Sequence, residues 1–197
     1  MMQGPILVFD TEATDLVPGQ ICQLAYLFED GQGLRARNYF FSVDDMSEGA
    51  QEVHGFSMEQ LAELSQGKYF EDLAEEFLPD FNAAKVLIGH NVAADERYLR
   101  VEMERAGLKL KKINTFCTMN FASGLMNLSR KVVTGRPKPP RLSELAAYYG
   151  VTEEEAAEKT KQWFEVSDIS LHDARFDTVL TYLSYQQAIK QGDLRAI

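Results

Sequence analysis

Five consecutive apolar residues at 5–9, PILVF, run directly into Asp10-Thr11-Glu12. An unbroken apolar run with β-branched members fits a strand covered on both faces, which demands other layers of structure on each side of its sheet. Residues 21–28 form a second apolar segment closed by the turn signal Glu29-Asp30-Gly31, and residues 34–43 alternate and are rich in aromatics. Together the three read as an antiparallel meander. The period then changes. Ser57 stands before Met58, Leu61, Ala62 and Leu64 at helical spacings, and residues 72–81 carry a similar stripe, so two helices are expected there. Residues 86–88 read as a short buried strand, 93–106 as an amphipathic helix closed by Gly107, and 113–117 as a fifth strand. Residues 142–149 and 178–189 read as helices stopped by Gly150 and Gly192. Strands that first follow one another and then alternate with helices imply an α/β fold, a mixed five-stranded sheet flanked by helices, because a crossover helix returns the chain to pair in parallel. No linker or repeat interrupts it, and residues 1–197 read as one domain.

Composition narrows the function. No apolar stretch approaches the roughly 18 to 20 residues of a membrane span, and Asp10 and Glu12 interrupt the only hydrophobic run near the N-terminus, where a secretory signal would need continuity. Cys22 and Cys117 lie far apart without metal-knuckle spacing and read as reduced thiols. The expectation is a cytoplasmic protein with no membrane partner. A net charge of −10 argues against a protein that coats DNA nonspecifically. Yet residues 97–141 hold eleven of the twenty basic residues and two acids, Glu102 and Glu104. That segment ends in the proline-broken basic loop RKVVTGRPKPPR at 130–141, with Arg130, Lys131, Arg136, Lys138 and Arg141. Such segregated charge can guide a polyanion to an otherwise acidic protein.

The acids supply the chemistry. Asp10 and Glu12, two apart on an extended chain, point to one face at the carboxyl end of the first strand, where open α/β sheets bind ligands. Gly89-His90-Asn91 follows the strand at 86–88, and Asp95 lies one turn into the next helix. Leu171-His172-Asp173-Ala174-Arg175-Phe176-Asp177 leads into the last helix. In one continuous helix His172 and Asp177 would stand roughly 140° apart, so a shared site requires His172 in the approach and Asp177 in the helix.

These segments, VFDTEAT at 8–14, LIGHNVAADERYL at 87–99 and LHDARFDT at 171–178, resemble the three motifs of the DEDDh exonuclease family, which includes the proofreading epsilon subunit of bacterial replicative polymerases, oligoribonuclease and ribonuclease T. The resemblance covers nearly the whole chain. It implies a ribonuclease-H-like fold, metal-binding acids at Asp10, Glu12, Asp95 and Asp177, and a general base at His172. It also implies two Mg²⁺ or Mn²⁺ ions and a 3′ to 5′ exonuclease that releases nucleoside 5′-monophosphates from 3′ ends of single-stranded DNA or RNA. Substrate contacts are expected at Ala13, Thr14, His54, Phe56 and Asn91, with Phe56 stacking on a base or packing in the core, and His90 structural. The chain departs from the family pattern at Thr14-Asp15, where Thr-Gly is usual, at Ala94, where an aromatic often stands, and in the acidic segment at 152–170, read as a surface helix packing Trp163 and Phe164.

Charge explains the ion requirement. Converging carboxylates repel and hold protons unless cations join them, and oxygen-only ligation suits Mg²⁺ or Mn²⁺. Two other readings compete: a polymerase-associated proofreading or docking subunit, disfavoured by the short stretch after Asp177, and a silent binding domain, disfavoured by five filled catalytic positions. An RNA-specific exoribonuclease also remains open.

Overall fold

The computed structural model describes residues 4–126, 128, 138–169 and 172–195. Strands β1 (Ile6–Ala13), β2 (Ile21–Asp30) and β3 (Gly33–Phe40) form the meander. Helices α1 (Glu48–His54), α2 (Met58–Leu64) and α3 (Phe70–Ala83) follow, then β4 (Val86–Gly89), α4 (Val92–Arg105), β5 (Asn114–Cys117) and α5 (Thr118–Met126). Helices α6 (Leu142–Tyr148), α7 (Glu153–Phe164) and α8 (Ala174–Lys190) complete the described chain. The sheet order is β3-β2-β1-β4-β5, with β1 antiparallel to β2 and parallel to β4. After β3 the chain crosses to the other side of β1, so the order reverses between β1 and β4, the position at which such sheets open a crevice.

Strand alternation sorts the core into two layers. Leu7 and Phe9 face α3 and α4, packing with Phe77, Phe81 and Leu99. Ile6 and Val8 face the opposite layer of α6, α7 and α8, packing with Leu145, Ala156 and Val179. The expected mixed sheet and its helical cover are present. Ser57 caps α2 through a reciprocal box with Gln60. Helices α1 and α5 were not foreseen: α1 buries only His54, so its sequence lacks an apolar stripe, and α5 begins directly after β5 with no turn residue between them.

The first strand also runs further than its apolar residues. It continues through Asp10, Thr11 and Glu12 to Ala13 rather than ending at the first acid, because β2 keeps pairing with it: Asp10 lies opposite Ala25 and Glu12 opposite Gln23. On the other side the partnership with β4 stops at Val8 opposite Ile88. The polar half of β1 therefore has one strand neighbour and one open flank.

The acidic segment folds as expected of it. Helix α7 starts at a Thr152 cap, buries Ala156 and Thr160, and seats Trp163 edge-on against Tyr182 of α8 at 5.7 Å. Because Trp163 is half-buried, Trp163→Ala should cost about 2 kcal/mol, less than the roughly 3–5 of a fully buried Trp; the shift in denaturant midpoint at constant slope measures it.

Candidate active site

Asp10 and Glu12 project toward the α8 layer, continuing the alternation of Ile6 and Val8. Asp177, in the first turn of α8, meets them there. One carboxylate oxygen from each of the three lies within 4.8 Å of the other two. Thr11 points the opposite way, toward α4, and its hydroxyl and backbone N–H donate to Asp95 Oδ1 at 2.7 and 3.2 Å. Asp95 is thus fastened to the back of the strand that carries the other two acids. Three of the four expected ligands converge directly, while the fourth stands beside them with one oxygen committed to Thr11.

Electrostatics follow from this crowding. Burial, then the charges of Asp95, Asp177 and Glu12, hold the Asp10 carboxyl well above its ordinary range. Glu12 is pushed up to about 9 by burial and by Asp177 and Asp95. Burial raises Asp95 to about 6 against the opposing hydrogen bonds from Thr11. Asp177 also rises to about 6 through burial, with the nearby His172 pulling it down. A donor set made only of carboxylate oxygens that resist ionising together is one that a hard divalent cation satisfies. The residues present therefore fit Mg²⁺ or Mn²⁺.

His172 lies just outside α8, exposed and with a left-handed φ of 59°. Asp173 caps the helix, and Asp177 follows one turn in. This is the division between approach and helix that the spacing required.

Beside Glu12 opens a cleft of about 410 Å³. Thr11, Ala13, Leu16, Val53, His54 and Tyr98 line it. Leu16 and Val53 are 86% and 56% exposed, giving the cleft an apolar rim. Asp15 also borders it, its Oδ1 accepting from Leu16 N–H at 2.6 Å.

The expected substrate contacts divide. Ala13 and His54 border the cleft, though the His54 ring is buried, with Nδ1 accepting from Phe56 N–H at 3.1 Å. Thr14 does not face the cleft: it is buried, its hydroxyl accepts from Gln20 N–H, and its backbone N–H and carbonyl bond Gln20 and Ser47. Phe56 is half-buried, packs edge-on against Phe40 at 5.3 Å and stacks on His54. Asn91 is exposed, at φ 72° ahead of α4, without a side-chain cap bond. His90 is structural, its ring bonded to Thr118 and to the Pro140 carbonyl.

Four basic side chains of the segment take structural roles among the described residues. Arg97 donates to the Leu16 carbonyl, and Arg105 donates to Pro18 and Gly19, bracing the loop that rims the cleft. Arg100 pairs with Glu96, and Lys138 with Glu144 at 2.6 Å. Arg130, Lys131 and Arg136 lie outside the described residues.

Sequence reading passed over Thr11, Gln23 and Asp173. Asp173 was detectable as a helix-capping acid before α8. Gln23, fully buried in an apolar strand, carried no signal beyond its polarity.

A raised carboxyl favours folding below its unfolded value, and this contribution is lost as pH climbs through the folded value. Metal-free protein should therefore lose stability from about pH 4 upward as Asp95, Asp177 and then Glu12 are forced to ionise. Millimolar Mg²⁺ or Mn²⁺, binding the ionised cluster, should raise the melting temperature more at pH 8 than at pH 5; paired thermal scans test this, and an ion effect independent of pH would contradict it.

A family model described as an exonuclease, RNase_T, matches residues 7–175. No curated protein sequence matches the chain. Among solved structures, a moderately thermophilic exonuclease I from Methylocaldum szegediense superposes with a TM-score of 0.71 at 15% identity, over 96% of this chain and 41% of that one. E. coli exonuclease I in complex with a 5cy-dT13 oligonucleotide gives 0.72 at 15%, over 97% and 41%. The zinc-bound complex of the E. coli enzyme with single-stranded DNA gives 0.72 at 16%, over 97% and 42%. The chain thus spans less than half the length of these structural relatives, and at this identity they attest to the fold. The three motifs, the carboxylate cluster they build and the match over 7–175 together make this chain a member of the exonuclease family.

Proposed function

We propose that the protein is a metal-dependent 3′ to 5′ exonuclease that hydrolyses single-stranded nucleic acid, with DNA as the first substrate to test, and releases nucleoside 5′-monophosphates. The observation that carries this reading is the convergence of Asp10, Glu12 and Asp177 between β1 and α8, with Glu12 also bordering the cleft of about 410 Å³. DNA takes precedence over RNA because two of the structural neighbours named above, both E. coli exonuclease I, are described with single-stranded DNA or a dT13 oligonucleotide.

Asp10, Glu12 and Asp177 would hold the ions, and Asp95, one oxygen tied to Thr11, would support them from behind. Bound Mg²⁺ or Mn²⁺ supplies positive charge that acidifies a water and offsets charge developing on the phosphate. His172 accepts the proton of the attacking water at a ring nitrogen, a role its exposed position before α8 permits. Leu16, Val53 and Tyr98 offer apolar and aromatic surface to the terminal nucleoside, and such contacts tolerate any base.

Asp10→Ala and Asp177→Ala should each abolish hydrolysis while leaving a folded protein, since removing either acid takes away a ligand and also relieves repulsion. The measurement is the ladder produced from 5′-labelled DNA and RNA oligonucleotides with Mg²⁺ or Mn²⁺. Shortening from the 3′ end by the parent and none by the variants is expected. Near-normal turnover by either variant would overturn the mechanism.

A further inference from the structure

We infer that Gln23 and Thr178 are positioning residues that use β2 as a ruler to set Asp177 and His172 against Asp10 and Glu12; this rests on the proposed nuclease reading. The two acids of β1 lie opposite Ala25 and Gln23 in the antiparallel register. Those same two positions of β2 hold the start of α8. The buried Gln23 amide accepts the Ala174 N–H at 3.1 Å and donates to Asp173 Oδ1 at 2.9 Å. Ala25, through its carbonyl, accepts the buried Thr178 hydroxyl at 3.2 Å. Asp177 sits between the two fastenings, next to Thr178 and one turn from Asp173.

The clamp is braced on its other sides. Gln23 also donates to Asn38 Oδ1 at 2.9 Å, while the donor-only Ala174 N–H and the acceptor-only Asp173 carboxylate fix the orientation of its amide. Asp173 receives the Arg175 guanidinium through contacts of 2.5 to 3.2 Å, and that guanidinium lies 5.5 Å over the Phe40 ring. A buried carboxylate held by a bidentate guanidinium, an amide and a backbone N–H has a single low-energy orientation. His172 is joined to it by one peptide bond. The strand that pairs with the β1 acids thereby also holds the helix bearing the third acid, so the ligand spacing is fixed by strand register rather than by the ions.

The test compares shape-preserving variants. Gln23→Met and Thr178→Val keep volume and remove the hydrogen bonds, while Thr178→Ser restores the hydroxyl. Gln23→Met should raise the half-saturating Mn²⁺ concentration and lower kcat by about 10- to 100-fold, the usual cost of losing a group that orients a metal ligand, with the KM for an oligonucleotide near the parent's. Thr178→Val should act in the same direction and Thr178→Ser should recover the parent. In metal-free protein, amide exchange over residues 174–177 should quicken in Gln23→Met. If the variants lose melting temperature yet keep the parent's Mn²⁺ midpoint and kcat, Gln23 and Thr178 are packing residues and the inference fails while the nuclease reading stands. A parent that neither binds Mn²⁺ nor degrades oligonucleotides would overturn the nuclease reading and, with it, the inference.

Discussion

Three carboxylates with oxygens within 4.8 Å of one another repel, and the arrangement around Asp10, Glu12 and Asp177 keeps them together despite it. Flexible side chains on separate loops would relax apart. Here two of the three are neighbours on one face of a strand and the third is in the first turn of a helix packed on that face, so separating them would require displacing β1 from β2 or α8 from the sheet. The rigidity comes from apolar packing: Val8 and Ile88 on one strand pair and Val179 and Leu180 on the helix are fully or almost fully buried together. The hydrophobic effect, which has no direction of its own, is thus converted by strand alternation into a directed electrostatic strain that a cation can relieve.

The loss of β4 as a neighbour beyond Val8 matters as much. Were β1 paired on both sides through Glu12, β4 would run on alongside the acids and could not turn into α4 beside them. Gly89 marks the departure of β4: a Cβ there would come within 3.2 Å of the Phe9 carbonyl and closer still to Val92, so the chain turns into α4 against the backbone of β1. That turn brings Asp95 to Thr11. The cleft beside Glu12 depends in turn on the loop at 14–20, which Thr14 closes on itself and which Tyr98, Arg97 and Arg105 hold by its carbonyls. Two of the basic side chains that stand out in the sequence, Arg97 and Arg105, are held in this bracing and keep their charge at the rim of the cleft.

What could be read in advance was whatever rests on periodicity or on a capped boundary. The five strands, the Ser57 cap, the helix closed at Gly107 and the placement of His172 before Asp177 in its helix all follow from local pattern, and the structure has them. Helix α1 was invisible because nearly all of it faces solvent, and α5 because no boundary signal separates it from β5. The site was legible in its acids and less so in its contacts. Thr14 and Phe56 have residue types that suit substrate binding, yet the backbone needs of one loop and a small cluster around Cys22, Val43 and Leu61 claim them. Such claims depend on residues distant in sequence, which no local pattern records. The same holds for Asp95, whose bond to Thr11 arises because even and odd positions of β1 face different helical layers.

Strand β1 also shows how the site contributes to the fold. A strand buried on both faces gains little register information from hydrophobicity alone, because a slip of one residue exchanges one apolar face for another. The polar half of β1 removes that degeneracy. Slipped by one, Asp10 and Glu12 would face α4 and its buried Asp95, Thr11 would face α8, and Gln23 would lose the partner opposite which its amide spans to Asp173 and Ala174. Buried polar groups left without partners cost more than their bonds return, so the alternative registers are penalised where the apolar half could not penalise them. The irregularity between Glu12 and Ala13, where Ala13 pairs with Ile21 and skips Cys22, confines this constraint to the segment carrying the acids. The residues that make the cluster costly to assemble are therefore among those that specify how the sheet is assembled.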